Sequence, residues 1–148
     1  MTSLSYDLHK LTARLDRAAD RLLRDHEGIS YSRFLALFAT GEGAASQRAL
    51  ADWLGQTEPS TSRMVGVLAE EGLLKVTRVA GAGNRRQLEL TAKGAALVKR
   101  ASRLLEGRFV EVVKRSGVSH VSYQRNTQRL LRQLDAETQT APGHGRAA

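Results

Sequence analysis

Apolar residues recur along this chain with two different periods, and the points where the period changes divide it into elements. From Leu4 the sequence sets Leu4, Leu8, Leu11, Leu15, Ala18/Ala19 and Leu22 in steps of four and three, one narrow stripe along a helix. The positions between are mostly charged: Asp7, Lys10, Arg14, Asp16, Arg17, Asp20, Arg21 and Arg24. A stripe this narrow suits a helix-to-helix seam better than a broad core face, and it predicts a dimer contact. Gly28 ends the helix. Ser30 or Ser32 caps a second one, which carries Phe34, Leu35, Leu37 and Phe38 and stops at Thr40-Gly41-Glu42-Gly43.

A short helical pattern, Ser46 to Leu54, then Gly55, then a longer one from Thr57 to Glu71, gives the parts of a helix-turn-helix. Thr57 suits the N-cap of the longer helix, and Pro59 falls in its first turn, where a missing N–H costs little. Its buried stripe is expected at Thr61, Met64, Val65 and Leu68, leaving Pro59, Ser60, Ser62, Arg63, Gly66 and Val67 on the other side. After Gly72 the pattern alternates. Leu73–Val79 and Arg86–Thr91 read as two strands, joined by Ala80-Gly81-Ala82-Gly83-Asn84. A hairpin directly after a helix-turn-helix is a wing. Thr91 can cap a long helix through Leu97, Ala101, Leu105, Phe109 and Val113, and a last helix after Ser119 carries Leu130, Leu131 and Leu134. The fold class expected is mainly α with a small β-hairpin wing: a winged helix-turn-helix. Residues 1–137 make one domain, in which the helices of residues 1–28 and 92–137 flank a lobe of residues 30–91. Residues 138–148 lack apolar periodicity and read as a disordered tail.

Charge sharpens this picture. There are 23 Lys and Arg against 15 Asp and Glu, a net charge of +8 and a pI near 10.6, which attracts a polyanion. No stretch approaches the roughly 20 apolar residues that cross a bilayer, and the first residues lack the order of a signal peptide, so the chain reads as cytoplasmic with no membrane partner. The absence of cysteine excludes disulfides, thiolate catalysis and cysteine-based zinc sites. His9, His26, His120 and His144 show no ligand spacing, so no metal and no cofactor are expected. There is no Gly-rich phosphate loop after a strand, no Ser elbow and no metal-binding His pair, and the chain does not read as an enzyme.

The order of elements, with Leu50-Ala51-Asp52-Trp53-Leu54-Gly55, Ser62-Arg63-Met64-Val65, Leu68-Ala69-Glu70-Glu71-Gly72-Leu73 and Leu90-Thr91-Ala92-Lys93-Gly94, resembles the MarR family of bacterial transcriptional regulators over about residues 4 to 137. The resemblance implies a single regulator domain that acts as a homodimer: the N- and C-terminal helices of residues 1–28 and 92–137 form a dimerisation region, while residues 30–91 of each copy are a DNA-binding lobe that reads double-stranded DNA. Dimer contacts are then expected at Leu4, Leu8, Leu11, Leu15, Leu130 and Leu134. Arg63 is assigned a bidentate major-groove contact, with Thr57, Pro59, Ser60 and Ser62 beside it and free N–H groups at the helix start. Ser46, Gln47 and Arg48 would hold the DNA backbone. Arg78, Asn84, Arg85 and Arg86 are the wing candidates for the minor groove. Family wings often carry an acid that braces the entering arginine. Here Asn84 stands in its place if the basic pair is matched, and no acid matches at all if the pieces are counted from Gly72 to Thr91, so that brace is missing and either arginine of the pair could be the one that enters. Many relatives sense a small molecule between the dimer helices and the lobe, and Tyr31, Phe34, Phe38 and Trp53 could line such a crevice, although aromatics at helical spacing are usually core. Two other readings share the fold: a nonspecific architectural DNA-binding protein, and a winged helix used for protein contact or RNA binding.

Overall fold

A computed structural model describes residues 3–140 apart from Ala82 and Asn84, without the side chain of Thr140. Six helices and one hairpin follow in order: α1 (Leu4–Glu27), α2 (Tyr31–Gly41), α3 (Gln47–Leu54), α4 (Glu58–Glu70), β1 (Leu74–Arg78), β2 (Arg86–Leu90), α5 (Ala92–Arg115) and α6 (His120–Thr140). The expected fold class is the one observed. The helix starts are set by hydroxyl caps: Ser30, Ser46, Thr57 and Thr91 accept hydrogen bonds from the backbone N–H groups of Arg33, Ala49, Ser60 and Gly94. Gly28 and Gly55 end α1 and α3 in left-handed conformations, with φ of 65° and 64°, which side-chain-bearing residues avoid.

The chain forms two compact units that divide inside α5, between Leu105 and Glu106. The core belongs to the first. Leu23 of α1, Phe34, Ala36, Leu37 and Ala39 of α2, Leu50 of α3, Val65 and Leu68 of α4, Leu74 and Leu88 of the hairpin, and Leu97 and Ala101 of α5 are all buried in it. The helices α1 and α5, expected to serve a dimer, therefore also fill the core of the lobe. On α1 the residue that does so is Leu23, one position beyond the stripe; Leu22 is only half-buried, and Leu4, Leu8 and Leu11 stay exposed. In the second unit, Phe109 and Tyr123 meet edge to face at 6.5 Å, while Leu130, Leu131 and Leu134 are exposed along α6.

The expected boundary at residue 137 gives way to a helix that continues through Thr140. Gln133 donates to Glu137 and the Thr138 hydroxyl to the Leu134 carbonyl, and a helix held by such i,i+4 bonds needs no apolar period. Residues 141–148, the rest of the expected tail, lie outside the described residues.

The hairpin is antiparallel, pairing Leu74 with Leu90, Val76 with Leu88 and Arg78 with Arg86. Ala45 and Ser46 lie along its other edge: Ser46 bridges Gln87, and the Leu88 N–H donates to the Ala45 carbonyl at 2.8 Å. The start of α3 is thereby tied to the wing.

Asp20 joins α1 to α2. Its carboxylate accepts from Arg24 at 2.8 Å and from the backbone N–H of Tyr31, at the start of α2, at 2.9 Å. The Arg24 hydrogen bond, and after it the Tyr31 N–H, hold its pKa below the ordinary 3.8. A depressed carboxylate contributes stability that is present above 3.8 and lost as pH falls through the lower folded value. Melting curves of wild type and Asp20→Ala should differ at about pH 6 and converge as pH falls below the lowered folded value; a difference independent of pH contradicts the role.

Candidate nucleic-acid interface

The recognition surface starts with the inner face of α4. Thr61 and Leu68 are fully buried and Val65 nearly so, with Met64 half-buried beside them. At 3.6 residues per turn this forces Pro59, Arg63 and Gly66 outward, and all three are exposed. Ser60 and Ser62 flank Arg63 and are half-exposed. Arg63 makes no ion pair or hydrogen bond among the described residues. Its guanidinium therefore projects from the middle of a smooth surface with its donors uncommitted.

The start of α4 is less open to anions than the sequence suggested. Of the four N–H positions from Thr57 to Ser60, that of Ser60 goes to the Thr57 hydroxyl and Pro59 has none, leaving Thr57 and Glu58 with unclaimed donors among the described residues. Glu58 also puts a carboxylate in the first turn. That favours the helix dipole but repels phosphate. The expected cluster of free N–H groups is thus reduced to two, because the cap uses that of Ser60 and Pro59 brings none.

Ser46 and Gln47 open α3 with Arg48. The Ser46 hydroxyl is engaged as the cap, Gln47 is half-buried with its Oε1 shut away from solvent and unpaired, and Arg48 is exposed and free of ion pairs among the described residues. Of these three, Arg48 is the most available cation. Trp53 is half-exposed at 50%, so it is not the core residue its spacing suggested; it packs one side against Phe38, at 6.4 Å between centroids. Phe34 is buried and stacks between Tyr31 and Phe38.

The wing has an apolar root and a cationic tip. Leu74, Val76, Leu88 and Leu90 share one face at the root, and the next pair on that face is Arg78 opposite Arg86. Arg85 stands at the end of the loop, just before β2, where its carbonyl accepts from the Val79 N–H. All three arginines are exposed, and none forms an ion pair with a described residue. Gly81 and Gly83 turn the tip with positive φ. Asn84 lies outside the described residues. Like charges directly opposite on a hairpin are destabilising, so the Arg78–Arg86 pair is a local cost set at the most exposed end.

Charge is distributed unevenly. Residues 28–91 hold seven Lys and Arg against six Asp and Glu, whereas residues 92–148 hold eleven against four. The basicity that first suggested a polyanion therefore lies mostly outside the winged lobe. Within the lobe, the cations are local: Arg48, Arg63 and the wing tip. Among the described residues no three His, Asp or Glu gather as a metal site, and no helix is long and apolar enough to cross a membrane.

Residues 27–87, from the end of α1 into β2, match the model of the MarR family. Over this stretch the chain is similar to the MarR family. The same fold recurs in solved structures. The transcriptional regulator BldR from Sulfolobus solfataricus superposes with a TM-score of 0.75 at 23% identity, over 88% of this chain and 93% of its own. The M. tuberculosis transcriptional regulator MosR, solved in complex with DNA, gives 0.66 at 27% identity, over 91% and 98%. NadR, solved in complex with 4-hydroxyphenylacetate, gives 0.72 at 20% identity, over 96% of both chains. None of the curated proteins matches the chain. The MarR-family resemblance read from the HTH and post-wing motifs is thereby borne out.

The charged wing tip gives a test that needs no ligand. Arg86→Gln removes the like-charge contact and should raise stability by about 0.2–1 kcal/mol, more at low salt than at high salt. Thermal melts at two ionic strengths check this, and a loss of stability would show that the arginine stem packs rather than repels.

Proposed function

We propose that this MarR-type chain is a sequence-specific, double-stranded DNA-binding transcriptional regulator, a repressor that acts as a homodimer on a pseudo-palindromic operator. The observation that carries the reading is the outer face of α4: an uncommitted Arg63 set among Pro59, Ser60, Ser62 and Gly66, opposite a face sealed into the core. Such a face fits the major groove, where an arginine bonds guanine O6 and N7 together. Arg78, Arg85 and Arg86 on the wing tip suit the minor groove, and Arg48 suits a phosphate. Ser46 and Thr57 serve chiefly as caps that aim α3 and α4. MosR, solved with DNA, supports a duplex as the partner. The exposed Leu4, Leu8 and Leu11 of α1 and Leu130 and Leu134 of α6 are apolar surface that a second copy would cover. Repression follows where the operator overlaps a promoter. NadR with its bound phenolic acid supports release by a small molecule, and with no cysteine that release cannot be thiol oxidation.

A second reading, nonspecific architectural binding, is favoured by the excess of cations in residues 92–148. The two separate on one measurement: the ratio of affinities for a selected duplex and a random one.

Two outcomes test the proposal. Arg63→Ala should cost about 1–3 kcal/mol at one base position per half-site and relax discrimination there; uniform weakening over all sequences would reduce Arg63 to a phosphate anchor. If Arg48, Arg78, Arg85 and Arg86 each displace one counterion, two subunits release about eight, and log K should fall with log salt at a slope of about −7. A slope near about −2 contradicts a two-lobed complex.

A further inference from the structure

The end of α4 is held by the beginning of α5 through an unusual concentration of contacts. Three successive carbonyls, those of Glu71, Gly72 and Leu73, leave the last turn of α4, and all three are taken by residues of one short segment. The Lys93 ammonium donates to the Glu71 carbonyl at 2.9 Å, the Thr91 hydroxyl to that of Gly72 at 2.6 Å, and the Thr91 N–H to that of Leu73 at 3.2 Å. The same Thr91 hydroxyl accepts the Gly94 N–H at 3.0 Å and so caps α5. Gly94 is buried, and a Cβ placed on it would lie 2.1 Å from the Leu73 carbonyl oxygen, so the two backbones meet where no other residue fits. A fourth tie comes from α2, where Arg33 bonds the Glu71 carboxylate at 3.1 Å. Lys93 also places a cation on the negative end of the α4 dipole.

We infer that Thr91, Lys93 and Gly94 are positioning residues that fix the angle at which α4 presents Arg63, and that they govern the selectivity of binding rather than the stability of the lobe alone. The inference rests on the DNA-reading role of α4. Arg63 lies about 12 Å along the helix axis from Glu71, so a tilt of about 5° at the clamped end moves it about 1 Å. A bidentate base contact tolerates little such displacement, whereas a phosphate contact made by a long flexible side chain follows it.

The test uses the full chain with Thr91→Val, which keeps the shape and removes the hydroxyl, and Thr91→Ser, which restores it. Lys93→Met serves as a second variant that leaves the α5 cap intact. Two readouts are taken: hydrogen exchange of the Glu71, Gly72 and Leu73 amides in the free protein, and the affinity ratio for a selected duplex over a random one. Thr91→Val should speed exchange at those amides and lower the ratio, each by about tenfold, as loss of a hydrogen bond worth about 1.4 kcal/mol allows. Thr91→Ser should recover both to within about threefold, and Lys93→Met should lower the ratio while Gly94 exchange stays as in wild type. A Thr91→Val protein that melts earlier, yet keeps wild-type exchange at the end of α4 and the wild-type ratio, would overturn the inference and leave Thr91 as a helix cap. A wild-type protein without duplex discrimination would instead sink the DNA reading and, with it, the selectivity claim, and the exchange data would show separately whether the clamp itself holds.

Discussion

The architecture depends on one constraint, the sealing of a single face of α4. Thr61, Val65 and Leu68 are packed so closely that the helix has no freedom to rotate about its axis, and this rotation decides which residues meet a partner. Were α4 turned by one residue, Arg63 would move toward the core and Met64 toward solvent. The Thr61 hydroxyl is buried on that sealed face with no hydrogen-bond partner among the described residues, a cost the packing of α4 bears. The small side chain there lets α4 approach the core where a larger one would hold it off.

The wing answers to a different balance. Its apolar root joins the same core, and the backbone bond from Leu88 to Ala45 carries the start of α3 along with it. Hairpin and helix-turn-helix therefore share one core and one edge-to-loop backbone bond. Its tip accepts facing arginines, a local penalty that a purely structural hairpin has no reason to keep. With the lobe almost neutral, what the lobe itself offers a polyanion is a few placed guanidinium groups, while the broader positive charge lies in residues 92–148.

Much of this was legible in the sequence because it is local. The spacing of Thr61, Val65 and Leu68 gave the orientation of α4, and the hydroxyls of Ser30, Ser46 and Thr57 marked helix starts because capping chemistry acts within three residues. What stayed hidden depends on contacts distant in sequence. Leu23, not the neighbouring stripe residue Leu22, enters the core because of where α2 lies; Gly94 looks like an ordinary helix glycine until the Leu73 carbonyl is seen above it. Trp53 followed core spacing and proved half-exposed, since the short α3 leaves one of its sides uncovered. The uneven division of charge could have been counted from the sequence. It was concealed by reading net charge as a property of the whole chain.

The central claim is that two copies of this lobe read duplex sequence through the outer face of α4. Selection of bound duplexes from a random pool tests it most directly. The account predicts enrichment of an inverted repeat with half-site centres about one helical turn apart, or a small multiple of it, and a guanine at a fixed place in each half. A bound pool no different in sequence from the starting pool would contradict it.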